Sequence, residues 1–129
     1  MADTRLVAEL PLCQCLLMED ARYPWLILVP KVAGLREFHE VPGNVQPQLL
    51  KEIEQASVAL QGLTDAHKLN VAALGNQVPQ LHIHVIARQT TDAAWPGPVW
   101  GVGAPEAYPE RKRAAFIQAL RDVLLPTKG

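Results

Sequence analysis

Apolar residues recur along this chain with two different periods. Between Gln80 and Val85 they alternate with polar ones, Leu81, Ile83 and Val85 against Gln80, His82 and His84. A period of two marks a β-strand with one buried face, and residues 80–88 are predicted as such a strand. Residues 12–18 form a short, mostly apolar strand, and residues 25–30 a continuous apolar run closed by Pro30. The polar Glu19-Asp20-Ala21-Arg22 between them reads as a hairpin turn. Residues 68–74 make a further strand, with Leu69, Val71 and Ala73 facing inward. Gly75-Asn76-Gln77 turns that strand into the histidine strand, which predicts a second hairpin.

Elsewhere the period lengthens. Leu49, Ile53, Ala56 and Leu60 recur at helical spacing while Lys51, Glu52, Glu54 and Gln55 fill the other face. This predicts an amphipathic helix capped by Asn44 and ended near Gly62. A second helix opens at Pro109-Glu110, carries a stripe of Ala114, Phe116, Ile117, Leu120, Val123 and Leu124, and stops at Pro126. Residues 1–10 read as a lead-in. Residues 31–42 read as a connector with one helical turn around Leu35 to His39. Short turns between sequential strands favour antiparallel pairing. The expected fold class is α+β, an antiparallel sheet of about five strands with two main helices. One domain is expected over residues 1–129, with its core at about 10–90 and a Trp/Pro-rich loop and helix at 91–125.

Composition narrows the function classes. The chain has 129 residues, of which 49% are hydrophobic and 19% charged, enough for a packed core. A net charge of −1 offers no basic patch for nucleic acid. No apolar run is long enough for a membrane span, and no signal peptide opens the chain. Cys13 and Cys15, two apart on one strand, are poorly placed for a disulfide and fit a reducing, cytoplasmic compartment.

The chemistry lies in the polar row. His82 and His84 on one strand face can bind a metal, carry nucleophilic or acid–base chemistry, or be solvated. A metal reading resembles the cupin pattern of glycine, His-x-His and then an acid. It lacks a third ligand and the many short strands of that fold, and two long helices count against it.

The residues themselves resemble a family. Gln80-Leu81-His82-Ile83-His84-Val85-Ile86 is similar to the His-φ-His-φ-His-φ-φ motif of the histidine triad superfamily, in which φ is apolar. It departs from that motif only in having Gln80 at the first histidine. Pro24-Trp25-Leu26-Ile27-Leu28-Val29-Pro30-Lys31 resembles the family's Pro-Gly-His-φ-φ-φ-φ-Pro-Lys strand, with Trp25 near an upstream histidine that packs beside the first motif histidine. Asn70-Val71-Ala72-Ala73 and Trp95-Pro96 also resemble family segments. The likeness covers residues 10–90.

That resemblance implies nucleotidyl hydrolase or transferase activity with His82 as nucleophile. His82 would attack the α-phosphate of a nucleotide conjugate, a dinucleoside polyphosphate or a nucleoside phosphoramidate. A backbone carbonyl would hold its other ring nitrogen, and water would release the nucleotidyl-imidazole. His84 and Gln80 join His82 as catalytic candidates, with Gln80 a neutral donor in place of a charged one. Gln77 and Asn76 are candidates for phosphate contact, against the plainer reading that they build the turn. Glu19 is a candidate for the nucleotide, against its reading as a turn residue. Arg88 reads as structural, and His39 and His67 as surface. No cofactor and no metal are expected. The expected partners are a small nucleotide substrate and a second copy of the chain, with Trp95 and Trp100 as anchors. The rival outside enzymology is a nucleotide-binding sensor or scaffold with little turnover.

Overall fold

Alternation dictates the architecture: every strand that alternates must find one apolar layer, and two helices supply it. The computed structural model describes residues 3–126. Strands β1 (Thr4–Glu9), β2 (Cys13–Met18) and β3 (Trp25–Pro30) are followed by a 3-10 turn (Phe38–Glu40) and helix α1 (Gln46–Thr64). Strands β4 (Lys68–Ala72) and β5 (Ile83–Arg88) and helix α2 (Glu110–Leu124) complete the order. The five strands form one sheet in the order β1-β2-β3-β5-β4, and each neighbouring pair is antiparallel. The expected α+β fold and both hairpins are present. No helix among the described residues is long and apolar enough to cross a membrane.

The two faces of the sheet differ. Cys13, Cys15, Leu17, Leu26, Leu28, Ile83, Val85 and Ala87 face one way and pack against Leu49, Ala56, Ala59 and Leu60 of α1 and Leu120 and Leu124 of α2. Leu16, Trp25, Ile27 and Ile86 face the other way, with Tyr23 and Val99, and no helix covers them. Burial pushes the Cys15 thiol up to about 12, and Cys13 is raised also, so both behave as small apolar core groups. Glu52 is fully buried on α1. Its carboxylate accepts the Leu12 and Cys13 amides at 2.9 and 2.7 Å and the Gln48 amide. It thereby fastens α1 to the start of β2.

Several boundaries depart from expectation. The lead-in is in fact β1. Its pairing register slips between Leu6 and Ala8, which leaves Val7 and Ala8 both buried and Leu6 exposed and hides the period-two pattern. Helix α1 runs through Gly62 and ends at Asp65, whose φ of 51° is left-handed. Its N-cap is Val45, not Asn44, with a proline in the first turn. Strand β4 is an outer strand and stops at Ala72, so Leu69 reaches the core while Val71 and Ala73 stay exposed. Regular pairing of the histidine strand begins at Ile83, opposite Leu28. Before it, the Leu81 amide bonds to the Leu35 carbonyl at 2.8 Å instead of to the sheet.

Candidate active site

The histidines lie on the helix-free face of the sheet. His84 stands opposite Ile27 on β3, so Trp25 and Val29 are its diagonal neighbours on the same face. His82 precedes the strand on the same side. The two imidazoles meet edge to face with centroids 5.0 Å apart, and both are buried. His82 Nδ1 lies 2.7 Å from the Gln80 carbonyl oxygen. A carbonyl only accepts, so that nitrogen carries the proton and Nε2 keeps its lone pair. Trp25 donates its indole N–H to His84 Nδ1 at 2.9 Å. Trp100 stands edge-on to both His84 (5.1 Å) and Trp25 (5.8 Å).

A cavity of about 380 Å³ opens over the pair. His82, His84 and Trp100 form its floor, Met18 and Thr4 one wall, and the turn from Leu74 to Val78 the other. Gly75 makes that turn with a φ of +78°, which suits glycine. A smaller cavity of about 170 Å³ also touches His82 and is lined by Leu16, Val29, Val78, Gln14 and Gln80. His82 and Val78 therefore border both cavities. A third, of about 340 Å³, shares Met18 and Trp100 with the main cavity and is further lined by Trp25, Glu19, Asp20, Arg22 and the segment Val99–Gly103.

Two comparisons bear on this arrangement. The HIT domain family profile matches residues 1–91. The chain belongs to the HIT domain family. A histidine triad protein from Bradyrhizobium japonicum is 49% identical, with a TM-score of 0.93 over 95% of this chain and 92% of that one. Another from Marinobacter aquaeolei VT8 is 48% identical, with a TM-score of 0.91 over 95% of this chain and 90% of that one. A Sulfolobus tokodaii protein described as a hypothetical histidine triad nucleotide-binding protein shares the fold at 15% identity and a TM-score of 0.68. No curated protein matches the sequence.

Within this HIT domain, the candidates drawn from the sequence fall into two groups. His82, His84, Asn76 and Gln77 share the main cavity. Gln80 borders the smaller one, and its amide points at the Pro30 and Val32 carbonyls at 3.4 and 3.5 Å. Glu19 is set apart. Its Oε1 accepts Arg113 at 2.7 Å and the Tyr108 amide at 3.3 Å, which ties the β2–β3 turn to the chain leading into α2. Trp95 and Trp100 are half-buried and pack within their own chain. Trp95 packs against His67 and the Arg88 guanidinium, and Trp100 against Trp25 and His84.

Three site residues were beyond the sequence reading. Trp100 sits in a loop whose path over the sheet has no periodic signal. Met18 and Thr4 enter through β1 and β2, the first of which was unrecognised. The family resemblance places Trp25 beside the first motif position, whereas the antiparallel register carries its indole to His84. Among the described residues no cluster of three or more His, Cys, Asp or Glu could hold a metal.

Burial, and then the neighbouring His82, push the His84 imidazole down to about 4. In an unfolded chain a histidine titrates near ~6.5. Between those values the unfolded chain binds a proton that the folded one refuses, so the contribution is full above about pH 6.5 and lost as pH falls toward 4. The expected loss is about 3 kcal/mol, read by urea unfolding across that range. Asp92, held down to about 2 chiefly by its bond to Arg88, acts only below that window. A His84→Asn variant should flatten the slope, and an unchanged slope would mean that His84 is not the responsible group.

Proposed function

We propose that this HIT domain is a nucleotide-binding phosphohydrolase acting at the α-phosphate of a dinucleoside polyphosphate or nucleoside phosphoramidate, with Gln80 at the first motif position. The observation that carries this reading is His82 itself, a residue lining the main cavity, with Nδ1 held by the Gln80 carbonyl and Nε2 left with its lone pair. The Nε2 pair attacks the α-phosphorus. The bond to the bridging oxygen or nitrogen breaks, and the leaving group takes its electron pair. Water then attacks the same phosphorus, the P–N bond returns its pair to Nε2, and the proton of the water passes to solvent. His84 and the Asn76-Gln77 turn serve as hydrogen-bond donors to the phosphoryl oxygens as charge builds up. No cofactor enters this scheme.

A screen of dinucleoside polyphosphates, adenylyl phosphoramidates and nucleotide sugars tests it, with release of a nucleoside monophosphate as the expected result. Binding without release over long incubation would favour a nucleotide sensor instead. The Gln80 amide, turned toward backbone carbonyls, is the observation on that side.

The same reading takes the protein to be a homodimer. Strand β4 presents an unpaired edge, Val71, Leu74 and Val78 are exposed near it, and α1 exposes Leu50, Val58 and Leu63. Apolar surface beside a free edge is an invitation to pair. Light scattering at micromolar concentration should give twice the chain mass of 14.2 kDa, and a monomer would remove this part of the proposal.

A further inference from the structure

We infer that Trp25 is a positioning residue: by donating its indole N–H to His84 Nδ1 it leaves that imidazole a single form, protonated only at Nε2, and so restricts the reaction to leaving groups that depart without a proton, a polyphosphate rather than an amine. The inference rests on the phosphohydrolase reading for its substrate half and on geometry alone for its first half.

An indole nitrogen donates and never accepts. At 2.9 Å, His84 Nδ1 must therefore be the acceptor and carry no proton. Protonating it would set two N–H groups against each other in a buried contact, which costs the full penalty of an unmade hydrogen bond. Neither ring can easily turn away. Trp25 is buried and wedged edge-on between Tyr23 at 6.4 Å and Trp100 at 5.8 Å. His84 is enclosed by Trp25, Trp100 and His82.

The charged groups around His84 are few. His82, from the same segment, opposes a second positive charge. Asp3, from the start of the chain, is the one carboxylate among the described residues that lines the main cavity. Glu19, Asp20 and Arg22, from the β2–β3 turn, line the adjoining cavity, where Asp20 pairs with Arg22 at 2.9 Å and Glu19 with Arg113 at 2.7 Å. Burial, His82 and the indole contact all disfavour an imidazolium at His84.

The two histidines are then opposites toward the substrate. His82 offers a lone pair at Nε2, and His84 offers an N–H. A neutral imidazole that gave up its last proton would become a strongly basic anion, so His84 stabilises developing charge by a hydrogen bond but delivers no proton. A polyphosphate leaves as a stable anion and needs none. The nitrogen of a phosphoramidate must be protonated before its bond to phosphorus breaks.

Two measurements on the full chain decide the matter. The first uses no substrate. Long-range ¹H–¹⁵N correlation spectra of ¹⁵N-histidine protein should show His84 with its proton on Nε2 and an unprotonated Nδ1 at pH 7. In Trp25→Phe, which keeps an aromatic ring but removes the donor, that signature should fade and the ring should titrate at higher pH. A proton on Nδ1 of His84 in the parent would overturn the inference whether or not the variant folds. The second compares kcat/KM at pH 7 for a dinucleoside polyphosphate and an adenylyl phosphoramidate of an alkylamine. The polyphosphate should be favoured on the order of 100-fold, the scale of a missing general acid. Trp25→His, whose ring can accept as well as donate, should narrow that ratio. Equal rates in the parent would overturn the leaving-group half. Absence of turnover on both would sink the hydrolase reading together with that half, while the spectra alone still decide the role of Trp25.

Discussion

Replacing His82 by Ala should lower turnover of a nucleotide conjugate by about 10⁴-fold, because the lone pair that makes the covalent bond is gone and no neighbour can take its place. His84 is the nearest imidazole, and its Nδ1 is already engaged by Trp25. The fold should survive. Among the described residues the His82 side chain makes one hydrogen bond, to the Gln80 carbonyl, and it sits where regular strand pairing has not yet begun, so the loss of stability should be about 1 kcal/mol. Intact-protein mass spectrometry after brief mixing with substrate adds a direct reading. The parent should carry a nucleoside monophosphate adduct, His84→Asn should carry it too, and His82→Ala should not. Parental turnover in His82→Ala would remove it as nucleophile.

The largest effect on stability is expected at Arg88. Its side chain is 1% exposed and four of its five N–H donors are engaged: Nε and Nη2 clasp both oxygens of Asp92 at 2.8 and 3.0 Å, Nη1 reaches Asn70 Oδ1 at 2.8 Å, and Nη2 also reaches the Gly97 carbonyl at 2.8 Å. Asp92 in turn accepts the amides of Gln89, Ala94 and Trp95, so one ion pair shapes the whole turn after β5. Arg88→Met fills much of the same volume but strands a buried carboxylate. The expected cost is about 3–5 kcal/mol in urea unfolding. The turn should loosen as well, exposing Trp95 and Trp100 to a fluorescence quencher. A cost below about 1 kcal/mol would show that the pair is weakly coupled to the rest, as surface pairs are.

Much of this molecule was legible in its sequence, for a physical reason. Strands β2, β3 and β5 are each bounded by a turn or proline and are buried on both faces, so apolar runs and punctuation agreed. The amphipathic stripe of α1 was equally plain. What escaped depends on partners distant in the chain. Strand β1 carries a bulge that breaks its alternation, and it is a strand only because β2 pairs with it. Val71 matches the pattern of an inward residue yet is 49% exposed, since nothing in the local sequence says that β4 is outermost. The His82 and His84 row could be read directly, and so could the carbonyl that fixes the His82 proton. The partner of His84 could not, because register across two strands 59 residues apart decides which aromatic meets which ring. Glu19 shows the converse. Its position near the site was readable, but its engagement by Arg113, 94 residues on, was not.

The helix-free face of the sheet has a further consequence. Both helices press on the opposite face, and on the histidine side a strap of chain, roughly Asp92 to Tyr108 and pinned at Arg88, Asp20 and Glu19, brings Trp100 against His84. That strap lies beyond the residues the family profile matches, yet Val99, Trp100 and Val102 wall the cavity beside the site. On the proposed reading, the nucleophile and the leaving-group preference inferred for Trp25 both lie on the sheet, while the strap adds only an outer wall. Exchanging the strap would then redraw part of the outline a substrate must fit without changing the strand that carries His82 and His84, so two proteins alike in that strand could answer to different molecules.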